Sequence, residues 1–263
     1  MTVARRPVRV GPSDLARAAR LHALHQERYA RDAVGLVADL EDAGFHVERL
    51  HELRRPGVGN TTALPILIRW LHALPCSPLK RDVCYVLGSS WARPGAASAL
   101  LAEYHMLDDR DDLCAALTRA AILTSLERVA DDGVFSEVVA IATDAGRGVA
   151  RGMAVVALGN MRRHRTQAVE ALRGLLADDS AATFAVLGLA KLDARETLHD
   201  IVAVIGRGDP VARRTARRVA RRWSELDEQG RGDGGQMEPV AAEHGAAGLE
   251  LEGQVRAGVD LHR

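Results

Sequence analysis

The chain has 263 residues, of which 47% are hydrophobic but only 3% aromatic, and its formal net charge is zero. That charge balance excludes a polyanion binder acting by bulk electrostatics. An interior limited to Ala, Leu, Val and Ile suits closely packed helices better than a β-sandwich, and no run of 18 apolar residues is present to span a membrane.

Met1 to Val10 carry Arg5, Arg6 and Arg9 but no apolar segment, so no signal peptide is expected. Residues 13–55 read as two or three helices. Ser13-Asp14 would cap the first, and Leu36, Val37, Leu40 and Phe45 mark a core face. With the turn-rich connector from Arg55 to Asn60, residues 1–60 form a helical N-terminal cap. His22 and His25 have H-x-x-H spacing without a third ligand, which reads as solvated histidines rather than a zinc site.

From residue 61 onward one apolar template, i, i+3, i+4, i+7, recurs five times. It fits Leu64-Leu67-Ile68-Leu71, Ala97-Leu100-Leu101-Tyr104, Phe135-Val138-Val139-Ala142, Ala168-Ala171-Leu172-Leu175 and Leu198-Ile201-Val202-Ile205. The starts are 33, 38, 33 and 30 residues apart. A second helix follows each copy. Ser77-Pro78 and Asp209-Pro210 are helix-starting pairs, because the first residue caps free N–H groups and the proline sits where none is needed. Asp179-Ser180 is a third candidate cap. Leu87-Gly88, Leu158-Gly159 and Leu187-Gly188 place glycine in three second helices, where it is unfavourable by about 1 kcal/mol against Ala. Close approach of a neighbouring helix is the expected reason.

Those features, together with Leu64-Pro65-Ile66-Leu67 and the ending Val156-Ala157-Leu158-Gly159, resemble HEAT repeats of the short bacterial type from about Thr62 to Leu226. Asp39 to Leu53 is similar to the entry segment of bacterial HEAT-like proteins. Unit two departs from the pattern, with Ala120-Ala121 where Leu-Gly is expected. The resemblance implies an all-α fold: an α-solenoid of about five antiparallel helix pairs over residues 61–226, behind the cap. Residues 227–263 are expected to form a disordered, acidic, Gly-rich tail.

Candidate chemistry is sparse. Cys76, Cys84 and Cys114 lack C-x-x-C spacing and a paired base, so core packing in a reducing cytoplasm is expected rather than disulfides or nucleophiles. The run Asp108, Asp109, Asp111, Asp112 precedes a helix near Leu113, where carboxylates face its positive end. Gly230 to Gly235 follows no strand and lacks G-K-[ST], so it is no phosphate loop. Trp70 and Trp91 invite comparison with helical-repeat DNA glycosylases, but edge packing explains both. Phycobilin-lyase-like repeats are a further analogy that brings no catalytic residue.

The last helix, Asp209 to Leu226, divides by face. Arg213, Arg214, Arg217, Arg218, Arg221 and Arg222 occupy one half; Ala212, Ala216, Val219, Ala220, Trp223 and Leu226 occupy the other. The arginines form either a solubilising end cap or a face for an acidic protein or nucleic acid. From Ser224 onward, nine acids stand against three arginines, so a tail masking that face is also expected. The function expected is therefore a non-enzymatic scaffold holding a protein partner on its concave face, without catalytic residues, metal or cofactor. The alternatives are a nucleic-acid-binding, DNA-glycosylase-like protein and a lyase or accessory enzyme subunit.

Overall fold

The computed structural model describes residues 12–55, 60–107 and 112–232, and these are all-helical, with no strand among them. The chain divides into two units, Met1–Trp223 and Ser224–Arg263. The N-terminal segment differs from expectation. One helix, α1 (Pro12–Asp42), replaces the several short ones, and Ser13 and Asp14 lie inside its first turn rather than ahead of it. It ends at Gly44 (φ 88°), with Phe45 N donating to Leu40 O and Gly44 N to Glu41 O at 2.8 Å each. This is a Schellman stop, which needs a residue that tolerates the left-handed region. The short 3₁₀ turn Leu50–Arg54 follows, burying Leu50 and Leu53.

Ten further α-helices are described, taken here two at a time in chain order: α2 (Leu64–Ala73) and α3 (Pro78–Leu87); α4 (Ala96–Met106) and α5 (Leu113–Val129); α6 (Phe135–Thr143) and α7 (Gly152–Ala157); α8 (Arg165–Leu175) and α9 (Ala182–Lys191); α10 (Leu198–Arg207) and α11 (Pro210–Gly232). Local chemistry sets several starts. Ser77 Oγ accepts from Lys80 N, Asp112 Oδ1 from Cys114 N, and Asp209 Oδ1 from Val211 N and Ala212 N. Each satisfies amides that the first turn leaves free. The Asp179-Ser180 cap is not formed. Asp178 instead accepts from Ser180 N and Oγ, and α9 begins after Ala181 without a side-chain cap.

Packing follows the pairing. α2 packs on α3, α4 on α5, α6 on α7 and α8 on α9, while α3, α5, α7 and α9 pack in sequence on one another. α1 packs on both α2 and α3. α3, α7 and α9 are deeply buried, and Gly152 and Ala154 to Gly159 are all buried. The first helices keep one wet face, as their apolar stripes require. One stripe position is misassigned. Val202 is 47% exposed and Val204 is buried instead, so α10 packs through Ile201 and Val204.

Polar bonds between neighbouring pairs recur at nearly one repeat length. His72 Nδ1 lies 3.0 Å from Glu103 Oε2, His105 Nε2 3.3 Å from Glu137 Oε2, and Arg165 Nη1 2.7 Å from Glu196 Oε1. Asn160 Nδ2 donates to Glu127 O at 2.8 Å. The exposed pairs among them, His105–Glu137 and Arg165–Glu196, contribute little each.

The glycines mark close approaches. A Cβ on Gly159 would stand 2.9 Å from Gly188 O and 2.7 Å from Lys191 Cβ, and one on Gly88 would meet Ser125. On α5 the small residue is therefore Ser125, whose Oγ donates to Cys84 O at 2.7 Å. Gly159→Ala is expected to destabilise by about 1–3 kcal/mol, because backbone on the facing helix must move. Gly174→Ala, in an exposed turn of α8 with nothing within 4 Å, is expected to stabilise by about 0.5–1 kcal/mol. Urea midpoints of the two variants should move in opposite directions.

Candidate anion-binding face

α11 is amphipathic because its small and apolar residues recur at helical spacing. Ala212, Ala216, Val219 and Trp223 are buried, and Thr215 joins them. Arg214, Arg217, Arg218, Arg221 and Arg222 are exposed and Arg213 is half-buried, so the helix presents the arginine face that its spacing predicts. Two edge positions differ: Ala220 is half-buried and Leu226 is 39% exposed. Arg214, Arg217, Arg218 and Arg221 stand at i, i+3, i+4 and i+7, so they lie above one another and line a shallow concavity of about 310 Å³.

Some exposed arginines elsewhere meet acids: Arg69 with Asp39 at 2.6 Å, Arg165 with Glu196, Arg173 with Asp200 at 2.8 Å. Among the described residues, no carboxylate lies within ion-pair distance of Arg214, Arg217, Arg218 or Arg222, and Arg221 has a partner. Like charges at i, i+4 repel, and Arg213 and Arg214 sit in the first turn, where the helix end is already positive. Helix stability alone does not favour this arrangement; an anion laid across it would relieve both penalties. α11 continues to Gly232, beyond the Leu226 at which apolar periodicity ends. Residues 233–263, with the rest of the acidic tail and its expected masking role, lie outside the described residues.

The other candidates resolve as follows. Asp112 caps α5, whereas Asp108, Asp109 and Asp111 lie outside the described residues, as do the side chains of His22 and His25. No group of three metal-ligating side chains occurs among the described residues. Trp70 Nε1 donates to Asp39 Oδ2 at 2.5 Å, and Trp91 Nε1 donates to Leu53 O at 2.8 Å. Both indoles thus tie the N-terminal segment to the first pair. No described helix is long and apolar enough to cross a membrane.

Three arrangements carry no signature in the sequence. Arg151 is buried and bonds Ala142 O, Gly148 O, Asp178 and Ser180. Lys80 and Glu103 form a buried ion pair with His72 at its edge. Cys84 beside them is fully buried, and its thiol is pushed up to about 12 by burial and then by the Glu103 carboxylate, with Lys80 opposing. Cys76 and Cys114, 38 residues apart, come near one another where Cys76 Sγ reaches Thr118 Oγ1 at 3.3 Å, one turn beyond Cys114 on α5. No protein family, no curated protein and no solved structure matches the chain.

Proposed function

We propose that the chain is a non-enzymatic scaffold, a HEAT-like α-solenoid of five antiparallel helix pairs behind a helical cap. Its concave surface is lined by the second helices and holds a protein partner. The partner's acidic segment lies on the arginine side of α11, the second helix of the last pair. The observation that carries this reading is the exposed set Arg214, Arg217, Arg218 and Arg222 on one side of α11, none of which meets a carboxylate among the described residues. The stack α3, α5, α7, α9 and the repeat-spaced bonds between pairs support the solenoid. Stacked pairs of this kind present an extended curved surface suited to a chain partner. On α3 and α5 that surface offers Tyr85 and the short side chains Ala116 and Ala120, which leave room for one. Three free cysteines fit a reducing cytoplasm.

The test is fluorescence anisotropy of the full chain with labelled poly-glutamate and, separately, a labelled DNA duplex. Arg214→Gln/Arg217→Gln/Arg218→Gln should weaken poly-glutamate binding roughly tenfold or more, since each exposed charge pair contributes up to about 1 kcal/mol. Glutamine keeps helix propensity, and an unchanged helical spectrum would verify the fold. The same arginines favour a second reading, nucleic acid. A duplex bound more tightly than poly-glutamate, with a log–log salt slope of about −4, would make phosphates the ligand. Binding of neither would leave α11 as a solubilising cap.

A further inference from the structure

We propose that Cys76 and Cys114 form a dithiol that a peroxide closes to an intramolecular disulfide, clamping the α2–α3 connection onto the start of α5. Cys76 lies in that connection, immediately before the Ser77 cap, and Cys114 is the second residue of α5. Both are half-buried and both carry free thiols, so each is reachable by a small oxidant.

The contact is built from three observations. Cys76 Sγ is 3.3 Å from Thr118 Oγ1. Thr118 stands one turn beyond Cys114, so the two side chains lie over one another on the same face of α5. Its hydroxyl proton is committed to Cys114 O at 2.8 Å, which leaves the hydroxyl oxygen to accept from the Cys76 S–H. Cys76 therefore points across the junction onto the face of α5 that carries Cys114 one turn before Thr118, which puts the two thiols near one another. Arg81 Nη1, from α3, approaches Cys114 Sγ at 3.9 Å.

The two sulfurs differ from Cys84. That thiol is in the core, away from oxidant, and carries no sulfur partner. The Cys114 thiol is pushed up to about 11 by burial first and by the Cys76 side chain next, with Arg81 opposing. Either sulfur can take the first oxygen, and the balance is the same; from Cys76 it runs as a two-electron oxidation followed by condensation. Peroxide gives one oxygen to Cys76 Sγ, forming a sulfenic acid and releasing water. Cys114 Sγ then attacks Cys76 Sγ; the S–S bond forms as the S–O bond breaks, and the departing hydroxide takes the Cys114 proton as a second water. Two electrons pass from the sulfurs to the peroxide, and a thiol such as glutathione reverses the closure. The ring closed spans 38 residues and joins consecutive helix pairs, so the oxidised chain should resist separation of those pairs.

The full native chain is treated with hydrogen peroxide, its remaining thiols are blocked with N-ethylmaleimide, and it is digested without reductant. The expected product is one peptide pair joined through Cys76 and Cys114, lighter by two hydrogen atoms, with Cys84 alkylated only after unfolding. Its thermal midpoint should rise by about 5 °C or more and return on addition of dithiothreitol. Cys76→Ser and Cys114→Ser should each abolish the link while leaving the reduced midpoint nearly unchanged. Separate sulfinic acids at the two positions, a link through Cys84, or a link between two chains would overturn the proposal.

Discussion

Replacing Arg151 by methionine is expected to destabilise the fold by about 3 kcal/mol, seen as a thermal midpoint lower by about 6–12 °C. Arg151 is 1% exposed, yet each of its three guanidinium nitrogens has an acceptor. Nη1 donates to Ala142 O at 3.1 Å, Nε to Gly148 O at 3.3 Å, and Nη2 to Ser180 Oγ at 3.2 Å and to the Asp178 carboxylate. Arg151 thereby joins the end of α6, the left-handed kink at Gly148 (φ 52°) and the turn between α8 and α9. Methionine fills much of the volume but leaves two carbonyls without a donor. The pH dependence should change too. Asp178 is held below the ordinary carboxylate range, first by the Ser180 hydroxyl, then by the Ser180 amide and Arg151. A carboxyl with a lowered folded-state pKa contributes stability that is present above its unfolded pKa and lost as pH falls through the folded value. Without Arg151 that contribution shrinks, so the variant's loss of stability between neutral pH and about pH 3 should be smaller than the parent's. A midpoint change under 2 °C would show that water replaces the guanidinium at little cost.

The second large effect is at the junction of α2, α3 and α4. Lys80 and Glu103 are 5% and 4% exposed, their charged ends are in contact, and the His72 ring is 3.0 Å from the other Glu103 oxygen. Glu103→Leu strands a buried ammonium, and Lys80→Met strands most of a buried carboxylate. Each should cost about 3–5 kcal/mol. The double variant Lys80→Met/Glu103→Leu removes both charges and offers apolar side chains of similar volume, so it should recover most of that loss. Urea unfolding of all four proteins closes the cycle. Additive losses, with no recovery in the double variant, would mean that packing of the two stems matters rather than their charges.

Much of the architecture was legible because its causes are local. A 3.6-residue apolar period and caps such as Ser77 and Asp209 act over one or two turns, and the chain carries them wherever it folds. The arginine side of α11 was legible for the same reason: spacing alone puts Arg214, Arg217, Arg218 and Arg222 on the half opposite Ala212, Ala216 and Trp223. Other features depended on what the next pair brings up, roughly 30 residues away. Arg151 and Lys80 look like surface cations in sequence; burial suits them only because Asp178 and Glu103 arrive from another helix. Val202 fits the apolar template but faces water, because α10 settles on Ile201 and Val204. Ala120-Ala121 stand where a glycine is expected, and Ser125 supplies the small contact to Gly88, since close approach requires only that one side chain be short. Cys76 and Cys114 share no motif, and only the packing of α5 against the preceding pair brings them together. Periodicity and capping are properties of a helix; the pairing of buried charges and thiols is a property of two helices meeting, which no local spacing encodes.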